Sequence, residues 1–336
     1  MRYAAVFTLL LAGYLWHASN VMLYEGPTSD HYDNGTFFNP EMPDRARFWG
    51  LAKWMLTRDR AQWPDYVQWE YEKPIIPDNS VTFIGHACSL IRLDGKNILT
   101  DPMYSDRASP VSFAGPKRVH DPGVAFEDLP KIDVVVISHD HYDHFDIETI
   151  KRLQETWDPV FIVGLGNDTR LRDLGVEKVV PLDWWQSYDY QDVKITFVPV
   201  QHFSGRTLLD YNKTLWGGFV VQNQRHKVLF GGDAGYSNDF KRIYDQFGAM
   251  DLALLPIGSY EPRWFMHPVH VDPTESVQIH IDLHAKKSVG IHFGTFQMSD
   301  EAYDAPIRDL QKAREQAGLA PDAFVAPEFG QTFPLG

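Results

Sequence analysis

The most chemically loaded stretch of this chain is Ser138-His139-Asp140-His141-Tyr142-Asp143-His144. Three imidazoles and a carboxylate that can face one point fall between His139 and His144. Imidazole nitrogen and carboxylate oxygen are ligands that zinc prefers, so these residue types at this spacing point to a metal site. A lone histidine reads as a packed or surface residue; four candidate ligands this close read as a coordination loop. Three further candidates each follow an apolar run: His202 after Ile195–Val200, Asp233 after Val228–Gly232, and His292 after Val289–Ile291. Taken singly, either histidine reads equally well as a satisfied interior residue and Asp233 as a helix N-cap. Their joint placement at strand ends argues for a two-metal site. The expected division is His139, His141 and His202 on one ion and Asp143, His144 and His292 on the other, with Asp233 bridging. Two divalent ions roughly 3.5–4 Å apart can share a hydroxide and a substrate oxygen, and zinc lowers the pKa of bound water to about 7. The expected chemistry is therefore hydrolysis by a metal-bridging hydroxide at carbon or phosphorus, with two Zn2+ per chain as cofactors, other divalent metals remaining open. Asp143 and Asp233 are the carboxylates expected to take a catalytic part.

The elements that must position these groups are short strands. Val134–Ile137 reads as a buried strand, so the first motif sits on the loop leaving its C-terminal end. Val81–Leu93, Asn97–Leu99, Val160–Val163, Val193–Val200, Gly217–Val221, Val228–Phe230, Leu252–Leu255 and Val289–His292 have the same character. Helical patterns intervene at Ile147–Trp157, Asn238–Phe247, Thr274–His284 and Ala305–Gln316. This order predicts an α/β fold with two sheets face to face and helices outside, formed by one domain over residues 76–336. Residues 25–44 read as a linker, rich in Gly, Pro, Asp and Asn. Arg45–Gln62 reads as a basic, Trp-rich helix, the linker and helix together spanning 25–75. Its Phe48, Leu51, Ala52, Met55 and Leu56 share one face, suited to packing on the domain or to lying on an anionic membrane surface.

From Tyr3 to Tyr24 there is no Asp, Glu, Lys or Arg. About 20 mostly apolar residues are needed to span a bilayer, so residues 1–24 are expected to form an uncleaved signal anchor. A cleaved signal peptide and a buried or interfacial segment are the rival readings; the small-residue cleavage pattern is poor, with Trp16 two residues before Ala18. With Arg2 on the cytoplasmic side, a spanning segment would leave the catalytic domain outside the cytoplasm. The formal charge of −14 argues against a nucleic-acid partner. The single cysteine, Cys88, excludes an intrachain disulfide and a Cys-rich zinc module, and reads as a small core residue.

The set His139-x-His141-x-Asp143-His144 with His202, Asp233 and His292 resembles the metallo-β-lactamase superfamily, which implies an αββα sandwich of two mixed β-sheets flanked by helices. The flavo-diiron oxidoreductases of that superfamily have Glu where this chain has His141, and a flavin domain for which there is no room, so the resemblance implies a hydrolase. A narrower resemblance rests on Ile84-Gly85-His86-Ala87, Leu99-Thr100-Asp101-Pro102, Arg107-Ala108-Ser109-Pro110 and Gly115-Pro116-Lys117-Arg118. Pro262-Arg263-Trp264-Phe265-Met266, His270-Val271-Asp272-Pro273 and Ile291–Phe296 continue it. Together they resemble the N-acylphosphatidylethanolamine-hydrolysing phospholipase D family and its bacterial membrane-associated relatives, from about residue 35 to the C-terminus. Asp140 departs from that pattern, where Asn is expected, and its side chain should point away from the metals.

The resemblance implies that His270 lies at the active site as a third catalytic group in contact with the substrate phosphate; a surface histidine is the plainer reading. Asp101 is expected to accept a hydrogen bond from a metal-bound imidazole, and His86 either to do similar work or to be a core histidine. Lys117, Arg118 and Arg263 are candidates for anionic headgroup contacts, or simply solvated. The expected function is a phospholipase D-type phosphodiesterase that cleaves N-acylphosphatidylethanolamine to N-acylethanolamine and phosphatidic acid. Its partners would be the phospholipid substrate and a membrane surface, its place the bacterial inner membrane facing the periplasm. A lactonase or other carboxylic-ester hydrolase on the same scaffold is the first rival, and a membrane-anchored metal-binding protein without activity the second.

Overall fold

In the computed structural model, residues 23–42, 47–207 and 209–336 are described. The expected anchor or signal segment therefore lies outside the described residues except for Leu23 and Tyr24. Among the described residues, no helix is long and apolar enough to cross a membrane.

Two mixed seven-stranded sheets carry the fold. The first contains β3 (Ser80–Gly85), β4 (Cys88–Leu93), β5 (Lys96–Thr100), β6 (Val134–Ile137), β7 (Val160–Gly164) and β8 (Val179–Leu182) in that spatial order, with β16 (Thr332–Pro334) on the outer edge of β3. Pairing is antiparallel from β16 to β5 and parallel from β5 to β8. The second sheet mirrors this plan. Strands β9 (Ser187–Tyr190), β10 (Val193–Val198), β11 (Gly218–Gln222) and β12 (Lys227–Phe230) pair antiparallel, and β13 (Leu252–Pro256), β14 (Lys287–Ile291) and β15 (Phe324–Val325) extend it in parallel from β12.

Strand alternation explains the layers. Val134 and Val136 of β6 point into the core between the sheets, with Phe83, Ile91, Ile195, Phe197, Phe219 and Leu229. Val135 and Ile137 point the other way and pack with Ile150 and Leu153 of the helix Ile147–Trp157. On the far side, Phe240 and Ile243 of the helix Asp239–Phe247 and Val277 of the helix Pro273–Asp282 cover the second sheet. Both faces of each parallel half are thus buried, which is why those strands read as continuous apolar runs. Helices Ile147–Trp157 and Ala305–Gln316 coincide with their sequence patterns.

Three readings are corrected. Val81–Leu93 is two strands, broken where Gly85 (φ 147°) and His86 (φ 54°) turn the chain. The helix runs Arg47–Thr57, and Leu51, Met55 and Leu56 of the expected packing face point outward at 38%, 59% and 87% exposure. It docks instead through Trp54, whose ring stacks on Phe265 at 5.2 Å and whose Nε1 donates to Asp300 Oδ2 at 2.8 Å. Finally, residues 25–42, read as linker, lie against the domain: the β1 (Tyr32–Asp33) and β2 (Thr36–Phe37) hairpin buries Tyr32 and Phe37 among the turn-forming residues around them.

Candidate metal centre

The candidate ligands converge at one edge of the sandwich, beyond the C-terminal ends of strands. His139, His141, Asp143 and His144 follow β6; His202 follows β10; Asp233 follows β12; His292 follows β14. The loop after β6 is tied into a turn, with His144 N–H and Phe145 N–H both donating to the His141 carbonyl at 3.1 and 2.8 Å. Gly232 is needed for the approach of Asp233 to this loop: its φ is +58°, and a Cβ there would stand 2.8 Å from Ser138 Cβ. His86, Asp101 and His292 also have positive φ (54°, 31° and 60°). Non-glycine residues avoid that region, and its clustering here marks backbone held in place by the surrounding fold.

All seven candidate ligands come together. One ligand atom from each of His139, His141, His202 and Asp233 lies within 4.8 Å of the others. The same holds for His86, Asp143, His144 and His292, and for Asp233, His270 and His292. Asp233 faces both groups. Its Oδ2 lies 3.2 Å from His144 Nε2 and from His292 Nε2, 3.8 Å from His202 Nε2 and 3.9 Å from His139 Nε2. Asp143 Oδ2 lies 3.3 Å from His144 Nε2 and 3.2 Å from His292 Nε2. His270 stands at the same centre, with Nδ1 3.9 Å from Asp233 Oδ2, and its side chain is 14% exposed.

Neighbouring groups fix which ring nitrogen faces inward. His144 Nδ1 donates to Asp101 Oδ2 at 2.6 Å, and Ser138 donates to the same carboxylate through N–H (2.7 Å) and Oγ–H (2.5 Å). Asp101 thereby meets the expectation that it holds a ligand-type imidazole. His202 Nδ1 donates to the Val269 carbonyl at 2.8 Å, and His139 Nδ1 faces Ser138 Oγ at 2.9 Å. The inward atoms His144 Nε2, His202 Nε2 and Asp233 Oδ1 have no hydrogen-bond partner although buried. Buried polar atoms without partners are costly, and imidazole lone pairs converging on carboxylates are what a divalent cation satisfies. The donor set fits a dinuclear metal site.

The electrostatics differ between the two halves of the cluster. Burial pushes His139 and His202 well below the ordinary histidine range and His141 to about 4, so these rings are neutral, the form that binds metal. Burial also opposes a charge on His292 and His144. The carboxylates of Asp233 and Asp143 overcome it, raising His292 to about 9 and His144 well above 6.5. The same carboxylates are held ionised far below 3.8, against burial, by His292 and His144.

The role of His86 was open between supporting an imidazole and filling the core. Its Nε2 donates to Asp143 Oδ2 at 2.9 Å, making it part of the cluster rather than of the apolar core. Its signal in the sequence was the Ile84-Gly85-His86-Ala87 motif. Asp140 points away from the cluster, as expected: Oδ1 accepts from Gly205 N–H at 2.7 Å and Oδ2 pairs with Arg170 Nε at 2.9 Å. Two of the basic headgroup candidates are occupied. Arg118 is buried, with Nη2 donating to the Met103 carbonyl at 2.6 Å. Arg263 is paired with Glu275 at 2.6 Å and donates to the His270 carbonyl at 2.8 Å, so it steadies His270 instead. Lys117 is exposed, on a loop that Arg107 closes by donating to the Gly115 carbonyl at 2.6 Å.

A family described as "Beta-lactamase superfamily domain" matches residues 96–293, the span holding all seven candidate ligands. The chain belongs to the metallo-β-lactamase superfamily. Within it, this member is 39% identical over 265 residues to N-acyl-phosphatidylethanolamine-hydrolyzing phospholipase D 1 of Caenorhabditis elegans, covering 74% of each protein. It is 36% identical to the mitochondrial N-acyl-phosphatidylethanolamine-hydrolyzing phospholipase D of Saccharomyces cerevisiae, over 75% of this chain and 55% of that protein. An uncharacterized protein of Mycobacterium tuberculosis is 41% identical over 241 residues, and the chain spans 64% of its length. Among solved structures, the isothiocyanate hydrolase from Delia radicum gut bacteria superposes with a TM-score of 0.63 over 76% of this chain and all of that one, at 18% identity. The metallo hydrolase Igni18 of Ignicoccus hospitalis gives 0.56 over 76% and 97%, at 22% identity. These two show the shared fold. This member of a metal-dependent hydrolase superfamily carries a His/Asp cluster that fits a dinuclear metal site.

Proposed function

We propose that this hydrolase is a phosphodiesterase of phospholipase D type, converting N-acylphosphatidylethanolamine to N-acylethanolamine and phosphatidic acid at a membrane surface, with zinc as its metal. The relatives named for this activity support the substrate class. The observation that carries the reading is an outward apolar face beside the metal cluster. Trp54 pins the helix Arg47–Thr57 to Phe265, a member of the short helix Arg263–Met266 that leads directly to His270. The same contact turns Leu51, Met55 and Leu56 outward, and Trp264 beside them is 49% exposed with Lys53 Nζ 4.4 Å from its ring. A basic helix with an unburied apolar face suits an interface between water and lipid. A substrate embedded in a bilayer needs such a face next to the chemistry; a small soluble ester does not.

His139, His141, His202 and Asp233 would hold one ion, and Asp143, His144, His292 and Asp233, with His86 close by, the other. Bound divalent ions would supply activation of water and compensation for the negative charge that develops at phosphorus. The chain's own groups do the orienting. Asp101 and the Val269 carbonyl set the ring nitrogens of His144 and His202. His270 closes the open side; burial pushes it to about 4, so it is neutral and offers one N–H to a phosphate or leaving-group oxygen. A cleft of about 590 Å³, lined by Val111, Tyr142, Phe145 and Arg206 among others but by none of the candidate ligands, lies against the loop after β6.

The test is turnover by purified, zinc-loaded protein of N-acylphosphatidylethanolamine in vesicles and of a lactone panel. The expected result is phospholipid turnover, weakened by Leu56→Asp on vesicles but not on a short-chain soluble analogue. Fast lactone opening with no phospholipid turnover would assign the site to carboxylic-ester hydrolysis instead.

A further inference from the structure

We infer that Asn39 is a positioning residue for the metal centre, its side-chain amide holding the backbone of His202 from a segment remote in sequence. The inference rests on the metal reading of His202 and not on the identity of the substrate.

The need for such a group arises in the sequence after β10. The ladder of that strand ends at Val198, because Pro199 has no N–H to contribute. Backbone beyond it is buried and must find other partners. Gln201 finds one in Gly235, whose N–H donates to its carbonyl at 2.8 Å. His202 finds Asn39. The His202 N–H donates to Asn39 Oδ1 at 3.2 Å, and Asn39 Nδ2 donates to the His202 carbonyl at 2.8 Å. A primary amide offers one acceptor and one donor side by side, so this pair of bonds reproduces what a neighbouring strand would give. The ring is fixed separately by the Val269 carbonyl. His202 is therefore gripped at backbone and ring, and its Nε2 is aimed at Asp233.

Asn39 can grip only because its own segment is anchored. The Leu23 carbonyl accepts from Thr169 Oγ1 at 2.9 Å. His31 Nε2 lies 2.7 Å from Asp183 Oδ1, and its ring stacks on Trp184 at 4.3 Å. Phe37 N–H donates to the Asn212 carbonyl at 2.8 Å, and Asn212 Nδ2 donates back to the Phe37 carbonyl at 3.0 Å. Glu41 pairs with Arg242. Residues 23–42 thus form a strap across the second sheet's end of the site. The strap meets the His202 side of the cluster and makes no hydrogen bond to Asp143, His144 or His292 among the described residues. Its effect should therefore fall on one ion and spare the other.

The experiment compares the full chain with Asn39→Ala, Asn39→Asp and Phe37→Leu, titrating Zn2+ against a chromophoric chelator and recording Co2+ spectra and Tm. The unaltered protein should bind two ions. Asn39→Ala should weaken one of them by roughly tenfold to a hundredfold, the usual effect of losing a group that orients a ligand, and leave the other unchanged. Asn39→Asp keeps the acceptor for the His202 N–H but sets an oxygen against the His202 carbonyl, so it too should weaken that ion; it carries the test alone if Asn39→Ala does not fold. Phe37→Leu removes core packing but keeps the backbone bonds to Asn212 that hold the strap in place, and should lower Tm while both affinities stay. Wild-type affinity for both ions in the Asn39 variants would overturn the inference, as would an equal metal loss in Phe37→Leu at the same fall in Tm. Fewer than two ions in the unaltered protein would defeat the two-metal reading, and the inference with it.

Discussion

Replacing Asp101 by Asn isolates one property, the direction in which the His144 ring presents its lone pair. The carboxylate accepts three bonds, from Ser138 N–H at Oδ1 and from Ser138 Oγ–H and His144 Nδ1–H at Oδ2. An amide of the same shape keeps one acceptor oxygen and turns the other position into a donor. If the oxygen stays with Ser138 N–H, the NH2 faces His144 Nδ1, and the ring must move its proton to Nε2. That nitrogen is the one directed at Asp143 and Asp233, where a metal would need its lone pair. If the amide flips, NH2 meets the Ser138 N–H instead, leaving a buried donor unmet at about 1–3 kcal/mol. Either arrangement should weaken the ion held by Asp143, His144 and His292 by about tenfold to a hundredfold, or about 1.4–2.7 kcal/mol at 1.36 kcal/mol per decade. Hydrolysis should fall in proportion at limiting metal. Chelator-competition titration of metal content, with thermal unfolding alongside, measures both. An Asp101→Asn protein that binds both ions with unchanged affinity would refute the tautomer argument.

His139→Ala and Asp233→Asn should each reduce hydrolysis to background while the far-ultraviolet circular dichroism keeps its wild-type form; full activity in metal-depleted Asp233→Asn would contradict the two-metal chemistry. His31 has its pKa raised because, against burial, Asp183 and Asp30 favour the charged ring, so its contribution is present below the unfolded value of 6.5 and lost as pH rises through the higher folded value. His31→Gln should therefore cost about 2 kcal/mol in urea unfolding at about pH 6 and much less at about pH 9, and an equal cost at both would contradict the ion-pair assignment. Cys88 is buried, with its thiol pushed up to about 12 by burial. It should resist alkylation in the native protein and react only in denaturant; rapid native labelling would show the core strand to open.

The strand ends that carry the site were legible because each candidate ligand terminates an apolar run, and a chain leaving a buried strand has only one edge of the sheet at which to emerge. The edge strands were not. Ser187–Tyr190 alternates between partly and fully exposed positions and carries no apolar run, and Val179–Leu182 contains Pro181. Both exist because a neighbouring strand supplies hydrogen bonds, which is a tertiary fact. Periodicity placed an apolar face on the helix Arg47–Thr57 but not the medium it meets; Trp54 makes the docking contact and Leu56 faces out. His86 was open between two roles, and Asn39 escaped, for a related reason. Their partners lie 57 and 163 residues away, and nothing local in Gly85-His86-Ala87 or Phe38-Asn39-Pro40 names Asp143 or His202. Arg118 and Arg263 were misread because a basic side chain in a loop suggests solvent, whereas here each guanidinium caps backbone carbonyls.

The central claim is that water attacks phosphorus at this metal cluster. Hydrolysis of N-acylphosphatidylethanolamine vesicles in 18O-labelled water, followed by mass spectrometry of the products, tests it most directly. The account predicts one labelled oxygen in the phosphate of phosphatidic acid and none in the N-acylethanolamine. Label in a released fatty acid, or in the ethanolamine hydroxyl, would place the attack on carbon and contradict it.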